Sequence, residues 1–142
     1  LEIITDIRAK ELHTKCSDLT DFNLNSVAFM NQLVSLMKKK SGFGLAAPQV
    51  GMPLNAFVMM AIDGRIFRVI NPKILEKGKI VTSKQEGCLS IPNKRYNVKR
   101  SKRIKVEFKD EVGKKIKTEF RNHDAFVFQH EYDHLQGILI SD

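Results

Sequence analysis

The chemistry in this chain is concentrated in one five-residue stretch, His130-Glu131-Tyr132-Asp133-His134. If that stretch is helical, His130 and His134 lie four apart and project from one face. Two neutral imidazoles so spaced can grip one metal ion, and the intervening Glu131 can take a proton from a water on that metal. The pattern points to metal-assisted hydrolysis without saying which bond is cut. A catalytic metal site of this kind takes three protein ligands and leaves one position open. No His or Glu stands downstream at the spacing that common metalloproteases use. His123 is seven residues before His130, two turns away, and His13 is remote in sequence. Cys88 is the attractive third ligand. It sits in Glu86-Gly87-Cys88-Leu89-Ser90, and Gly87 lets a backbone approach closely. The plain alternative for Cys88 is a buried apolar cysteine, the reading given to Cys16, which has no such surroundings.

A second segment, Gly42-Phe43-Gly44-Leu45-Ala46-Ala47-Pro48-Gln49, describes a tight loop whose backbone something can approach. It lacks the Lys-Ser/Thr ending of a phosphate loop. Gln49 stands out as the one polar side chain closing an apolar run.

Other elements must bring these segments together. At 142 residues the chain fits one domain, residues 1–142, around one core. The N-terminal third reads as mainly helical. From Asn25 to Lys40, Met30, Leu33, Val34 and Met37 recur at three- and four-residue spacing, with Asn23 or Asn25 as cap and Gly42 past the end. Leu54 to Ile62 reads as a strand, Asp63-Gly64 as a hairpin turn, and Ile66–Ile70 as its partner, limited by Pro72. Ile104–Phe108 and Ile116–Phe120 alternate apolar and charged residues around Asp110–Gly113, which predicts a second hairpin with one face in water. His123 to Gln136 is the second helix, ended by Gly137, and Ile138–Ile140 is expected to add a short strand. Strands grouped between helices make the class α+β, a mixed, mostly antiparallel sheet around the helix that carries the histidines.

Composition excludes several classes. Two cysteines are too few for a disulfide framework and suit a reducing compartment. No apolar run approaches a membrane span, and no secretory leader is evident; a cytoplasmic setting is expected, or an organelle if a targeting segment has been trimmed before Leu1. The net charge of +8 attracts anionic partners, yet no module that reads nucleic-acid sequence is recognisable.

The three segments GFGLAAPQ (Gly42–Gln49), EGCLS (Glu86–Ser90) and HEYDH (His130–His134) together resemble the peptide deformylase family, in its order and at its separations. The resemblance covers nearly the whole chain. It implies an enzyme that removes the N-formyl group from the formylmethionine of nascent polypeptides and releases formate. Cys88, His130 and His134 would hold one divalent metal, natively Fe(II), with zinc, nickel or cobalt able to substitute. Metal-bound hydroxide would attack the formyl carbon, with Glu131 as general base and then acid. Gln49 and the Leu89 N–H would form the oxyanion hole. The peptide would lie as an added strand against Phe43, Gly44 and Leu45 and against Glu86 and Gly87, with its methionine among Phe43, Phe126 and Val127. Arg95 joins the substrate-binding set, and Asp133 is expected to pair with Arg95 or Arg100. The sequence ends eight residues after His134, so the C-terminal helix associated in the family with ribosome docking is expected to be lacking. Ribosome contact would then fall to the basic surface of a monomer. Two rival readings stand beside this one: a metalloprotease, from the histidine motif alone, and a non-catalytic RNA- or ribosome-binding protein, from the charge.

Overall fold

The computed structural model describes residues 1–142. Helix α1 spans Leu24–Lys39. Strands β1 (Gly44–Ala46), β2 (Ala56–Met60), β3 (Ile66–Lys77), β4 (Ile80–Cys88), β5 (Ile91–Ser101), β6 (Arg103–Lys109) and β7 (Lys115–Arg121) follow, then α2, His123–Leu135. One antiparallel sheet has the order β1-β2-β3-β6-β7, and β4-β5 form a separate two-stranded sheet. The α+β expectation holds. No helix is long and apolar enough to cross a membrane.

Strand β2 explains the layering. It is apolar at successive positions because both of its faces are covered. Phe57 and Met59 pack with Val106, Phe108, Phe120 and Phe128 beneath α2. Ala56 and Val58 turn the other way, to Met30, Leu33, Val34 and Met37 of α1. The alternation of side chains along a strand thus splits the core in two, with one helix on each face. Phe128 anchors α2 in this core by meeting the Phe57 ring edge to face, centroids 5.0 Å apart.

Helix α1 starts at Asn23, the first of the two expected caps. Its side chain accepts from the N–H groups of Asn25 and Ser26, and the Ser26 hydroxyl accepts from the Asn23 N–H, a reciprocal arrangement that satisfies otherwise orphaned donors.

Three expectations need correcting, and one element went unread. Ahead of α1 the N-terminal third holds only a 3-10 turn at Lys10–His13, so most of residues 1–23 is not helical. Pro72 does not limit β3. The strand continues to Lys77 because the register with β6 shifts between Ile70 and Lys73, and a proline is tolerated at such a bulge. Asn71, at φ 52, turns the chain there and clasps Leu19 through both its N–H and its carbonyl. Ile138–Ile140 is not a strand. Gly137, at φ 78, ends α2 and turns the chain so that Leu139 packs beside Leu12 and Ile91. Finally, the β4-β5 hairpin fills a region that the sequence presents mainly as clusters of charge.

Candidate metal centre and active site

Helix α2 carries His130 and His134 on the face turned toward β4 and β5. Their rings lie 5.1 Å apart, centroid to centroid. The end of β4 delivers Cys88, and the ligand atoms of Cys88, His130 and His134 lie within 4.8 Å of one another. Cys88 Sγ is 3.4 Å from His134 Nε2. A tetrahedral metal with a sulfur at about 2.3 Å and a nitrogen at about 2.0–2.1 Å separates the two by about 3.5 Å, so the residues present fit a divalent ion.

The ligands are held from behind. His130 Nδ1 meets Glu86 Oε1 at 3.1 Å, which turns Nε2 toward the centre; such a carboxylate fixes the ring's orientation and strengthens it as a ligand. Glu86 in turn accepts from Arg100, Nε to Oε2 at 3.0 Å and Nη2 to Oε1 at 2.8 Å. Arg100 also donates to Asp133, which resolves the expected Arg95-or-Arg100 pairing in favour of Arg100. Arg100 is 4% exposed. Its charge is tolerated because two carboxylates face it. Burial pushes the Glu86 carboxyl up, but His130 and Arg100 outweigh burial and hold it down at about 2.

The protonation pattern suits a cation at the centre. Burial by itself lowers His130, yet Glu131, Cys88 and Glu86 around it raise it to about 10. A divalent ion among the same donors does electrostatically what that proton does. His134, buried and beside His130, is held well below its ordinary value, as a neutral ligand must be. Glu131 is 4% exposed. Its Oε2 is 3.9 Å from His130 Nε2 and its Oε1 has no hydrogen-bond partner. Burial raises Glu131 to about 7, the range in which a carboxylate can both take and return a proton.

Gln49 reaches the centre from the 3-10 turn Ala47–Val50. Its Oε1 accepts from the Ala46 N–H at 2.9 Å. That fixes the amide orientation and sends Nε2 toward Ser90 Oγ, 3.1 Å, and Cys88 Sγ, 3.7 Å. The Leu89 N–H, between β4 and β5, donates to no protein acceptor. Two donors therefore flank the cysteine.

A cleft of about 900 Å³ opens over this centre. It brings together Phe43, Gly44, Gln49, Glu86, Gly87, Cys88, Leu89, Arg95, Phe126, Val127, His130 and Glu131. Leu45 is absent from its walls, because its side chain is fully buried against α1; it can offer substrate only backbone. The Glu86 carboxylate is likewise turned to His130 and Arg100, leaving its backbone for the cleft. Gly44 is indispensable in shape: a Cβ there would lie 2.5 Å from Glu131 Oε2. His123 edges the Phe43 ring at 4.7 Å and lines the cleft, away from the ligand cluster. Cys16 is buried in the core beneath α2, as expected.

Sequence reasoning missed Ser90, which holds the Gln49 amide, and Gln129. The Gln129 amide bridges Ser101 N and O at 2.9 and 2.8 Å and so clamps α2 to β5. A polar residue inside an apolar helix face was the available signal for Gln129.

Comparison with known proteins agrees with this geometry. The family described as Polypeptide deformylase matches residues 1–142. A peptide deformylase of Thermotoga maritima is 40% identical over 131 residues, covering 92% of this chain and 79% of that protein. Peptide deformylase 1 of Clostridium perfringens is 40% identical over 132 residues, 92% of this chain and 89% of that one. The crystal structure of the Thermotoga maritima peptide deformylase superposes with a TM-score of 0.94 at 37% identity, over 99% of this chain and 95% of that chain. A Synechococcus elongatus peptide deformylase in complex with actinonin gives 0.94 at 31% identity, over 100% and 77%. With the family matched across every residue and the same fold found in its solved members, the chain belongs to the polypeptide deformylase family.

Proposed function

We propose that this cleft deformylates the N-terminal formylmethionine of nascent polypeptides, with Glu131 moving the proton and Gln49 and Leu89 receiving the charge. The family is one of hydrolases acting on that group. The observation that carries the residue roles is the buried Glu131 carboxylate, one oxygen unpartnered, beside the Cys88–His130–His134 cluster. Those three residues would hold a divalent ion, since a thiolate with two imidazoles suits a borderline metal; the family resemblance implies Fe(II) as the native one. Bound there, it acidifies a water and polarises a carbonyl.

Glu131, raised to about 7 by burial, accepts a proton from the attacking water and returns it to the departing amine. As the formyl oxygen gains charge, the Gln49 Nε2–H and the Leu89 N–H donate to it. One such preorganised donor is worth about 3–4 kcal/mol. Strand β1 is the edge of its sheet and β4 pairs only with β5, so both present free backbone to an extended peptide. Phe43, Phe126 and Val127 supply the apolar walls for its methionine. A monomer would suffice, because one chain supplies every group. Its exposed lysines would bring it to ribosomes by salt-sensitive attraction.

Formate release from formyl-Met-Ala-Ser by the iron- or nickel-loaded chain, kept anaerobic, tests the reading. Fast release that is nearly silenced in Glu131→Ala is the expected result. A folded, metal-loaded chain that releases no formate, or that cuts unformylated peptides between residues, would overturn it.

A further inference from the structure

The mouth of the cleft is basic on every side that a peptide can leave by. Lys40 stands past the end of α1, Lys84 on β4, and Lys94 and Arg95 at the start of β5; all four line the cleft and are exposed. None has a carboxylate within ion-pairing distance; the chain's ion pairs involve other residues. The two acidic residues in the cleft wall are Glu86, occupied by Arg100 and His130, and the buried Glu131. The positive rim is therefore uncompensated.

Direction follows from burial. Beyond Gly44 the β1 side carries Leu45, Ala46 and Ala47, buried away from the cleft, whereas Lys40 to Gly44 and, on β4, Ser83 to Leu89 border it. The open path runs the other way, from Gly44 back toward Lys40 and from Gly87 back toward Lys84. The Arg95 guanidinium lies directly against Gly87, Nη1 only 3.0 Å from where a Cβ would be, and is steadied by the Gln85 carbonyl at 3.2 Å. Lys84 is three residues before Gly87, at most about 10 Å along the strand, shortened by the bend at Gln85. That is the reach of the third or fourth residue of a substrate whose first residue sits at the metal centre.

We propose that this enzyme selects formylated peptides carrying Asp or Glu at the second to fourth positions, through the rim formed by Lys40, Lys84, Lys94 and Arg95. This rests on the deformylase reading and refines its substrate class. Charge attraction at an exposed rim acts on ground state and transition state alike, so it lowers KM and leaves kcat nearly unchanged. Two or three exposed contacts amount to about a five- to tenfold preference at low salt. In 1 M salt, where screening acts over about 3 Å, the preference should shrink to under twofold.

The test compares formyl-Met-Glu-Glu-Ser-amide, formyl-Met-Gln-Gln-Ser-amide and formyl-Met-Lys-Lys-Ser-amide; the amides remove the terminal carboxylate as a confounding charge. A kcat/KM order of Glu over Gln over Lys, expressed in KM and erased by salt, supports the proposal. A Lys84→Gln/Lys94→Gln double variant should lose most of the spread between the three peptides. Equal kcat/KM for all three at low salt, or a preference for the lysine peptide, overturns it. Calorimetric binding of the same peptides to the Glu131→Ala protein reads the rim without turnover. Failure of the deformylase reading silences formate release from all three peptides, yet the binding order still decides the rim: Glu over Lys supports it, and equal affinities overturn it.

Discussion

Replacing Gly44 by Ala isolates the position of one carboxylate. The added Cβ would lie 2.5 Å from Glu131 Oε2, 2.7 Å from Cδ and 2.8 Å from Cγ. Non-bonded atoms rest at about 3.5–4.0 Å, so the carboxylate must retreat by roughly 1 Å. It has little room, being 4% exposed on a packed helix. A displacement of about 1 Å at a reacting group costs on the order of 10²-fold, or about 2.7 kcal/mol of transition-state stabilisation. Gly44 does not have a positive φ, so alanine adds no backbone strain, and Cys88, His130 and His134 are untouched. The expected result is a fall in kcat of about a hundredfold, with metal content unchanged. Gly42→Ala is the control. Its Cβ meets Leu89 Cδ1 at 2.9 Å, the end of a flexible side chain that can swing aside, and the loss should stay within a few fold. The assay is anaerobic formate release, with metal analysis and thermal unfolding alongside. A Gly44→Ala enzyme that keeps kcat within twofold would refute the placement of Glu131 as the proton carrier in this geometry.

Arg100→Met should leave Glu86 and Asp133 facing each other without their shared cation. A loss of about 3–5 kcal/mol is expected from denaturant titration, with metal affinity about 10–100-fold weaker as His130 loses its orienting partner. Gly137→Ala should cost about 2–5 kcal/mol, from the left-handed φ of 78 together with a Cβ 2.7 Å from the His13 backbone. Gly64→Ala, at φ 92 with nothing within 4 Å, should cost about 1–2 kcal/mol, and equal losses at the two sites would contradict the packing argument. Burial raises the Cys16 thiol from 9.0 to about 11, so the folded state retains a proton that the unfolded state releases. That contribution is whole below pH 9 and is lost as pH rises through 11. Urea midpoints of wild type and Cys16→Ala should therefore converge between pH 9 and 11, and a constant gap would show that the thiol is not desolvated.

What the sequence made legible follows how local each signal was. Met30, Leu33, Val34 and Met37 mark α1 because a helix repeats its buried face every three to four residues, and all four are buried. His130 and His134 needed only a helix to meet. Cys88 was reachable because its glycine-flanked turn is itself a short-range pattern, although its meeting with the histidines is a long-range fact that needed the family resemblance. The β4-β5 hairpin was invisible for a physical reason. It packs little of its surface into the core, and its burial is irregular because the register shifts between Ser83 and Glu86 and between Glu86 and Cys88. Lys84, Lys94, Arg95 and Lys99 then swamp any alternation. Arg100 was ambiguous for the same reason: nothing in a run of basic residues announces which one turns inward.

That hairpin also accounts for the position of the catalytic cleft. A sheet edge with free backbone groups invites uncontrolled pairing with other chains. Here β1 ends one sheet and β4 bounds another, and both border the same cleft. The two bulges in β4 bend it where Gln85 takes φ 58 and accepts the Arg95 guanidinium, so the strand bends within the cleft wall rather than running flat to a long open edge. The backbone edges of β1 and β4 thus meet in one cleft, beside the buried Gln49 and Ser90. The same bulged hairpin that hid from sequence reading therefore supplies both the cysteine of the ligand cluster and one wall of the cleft.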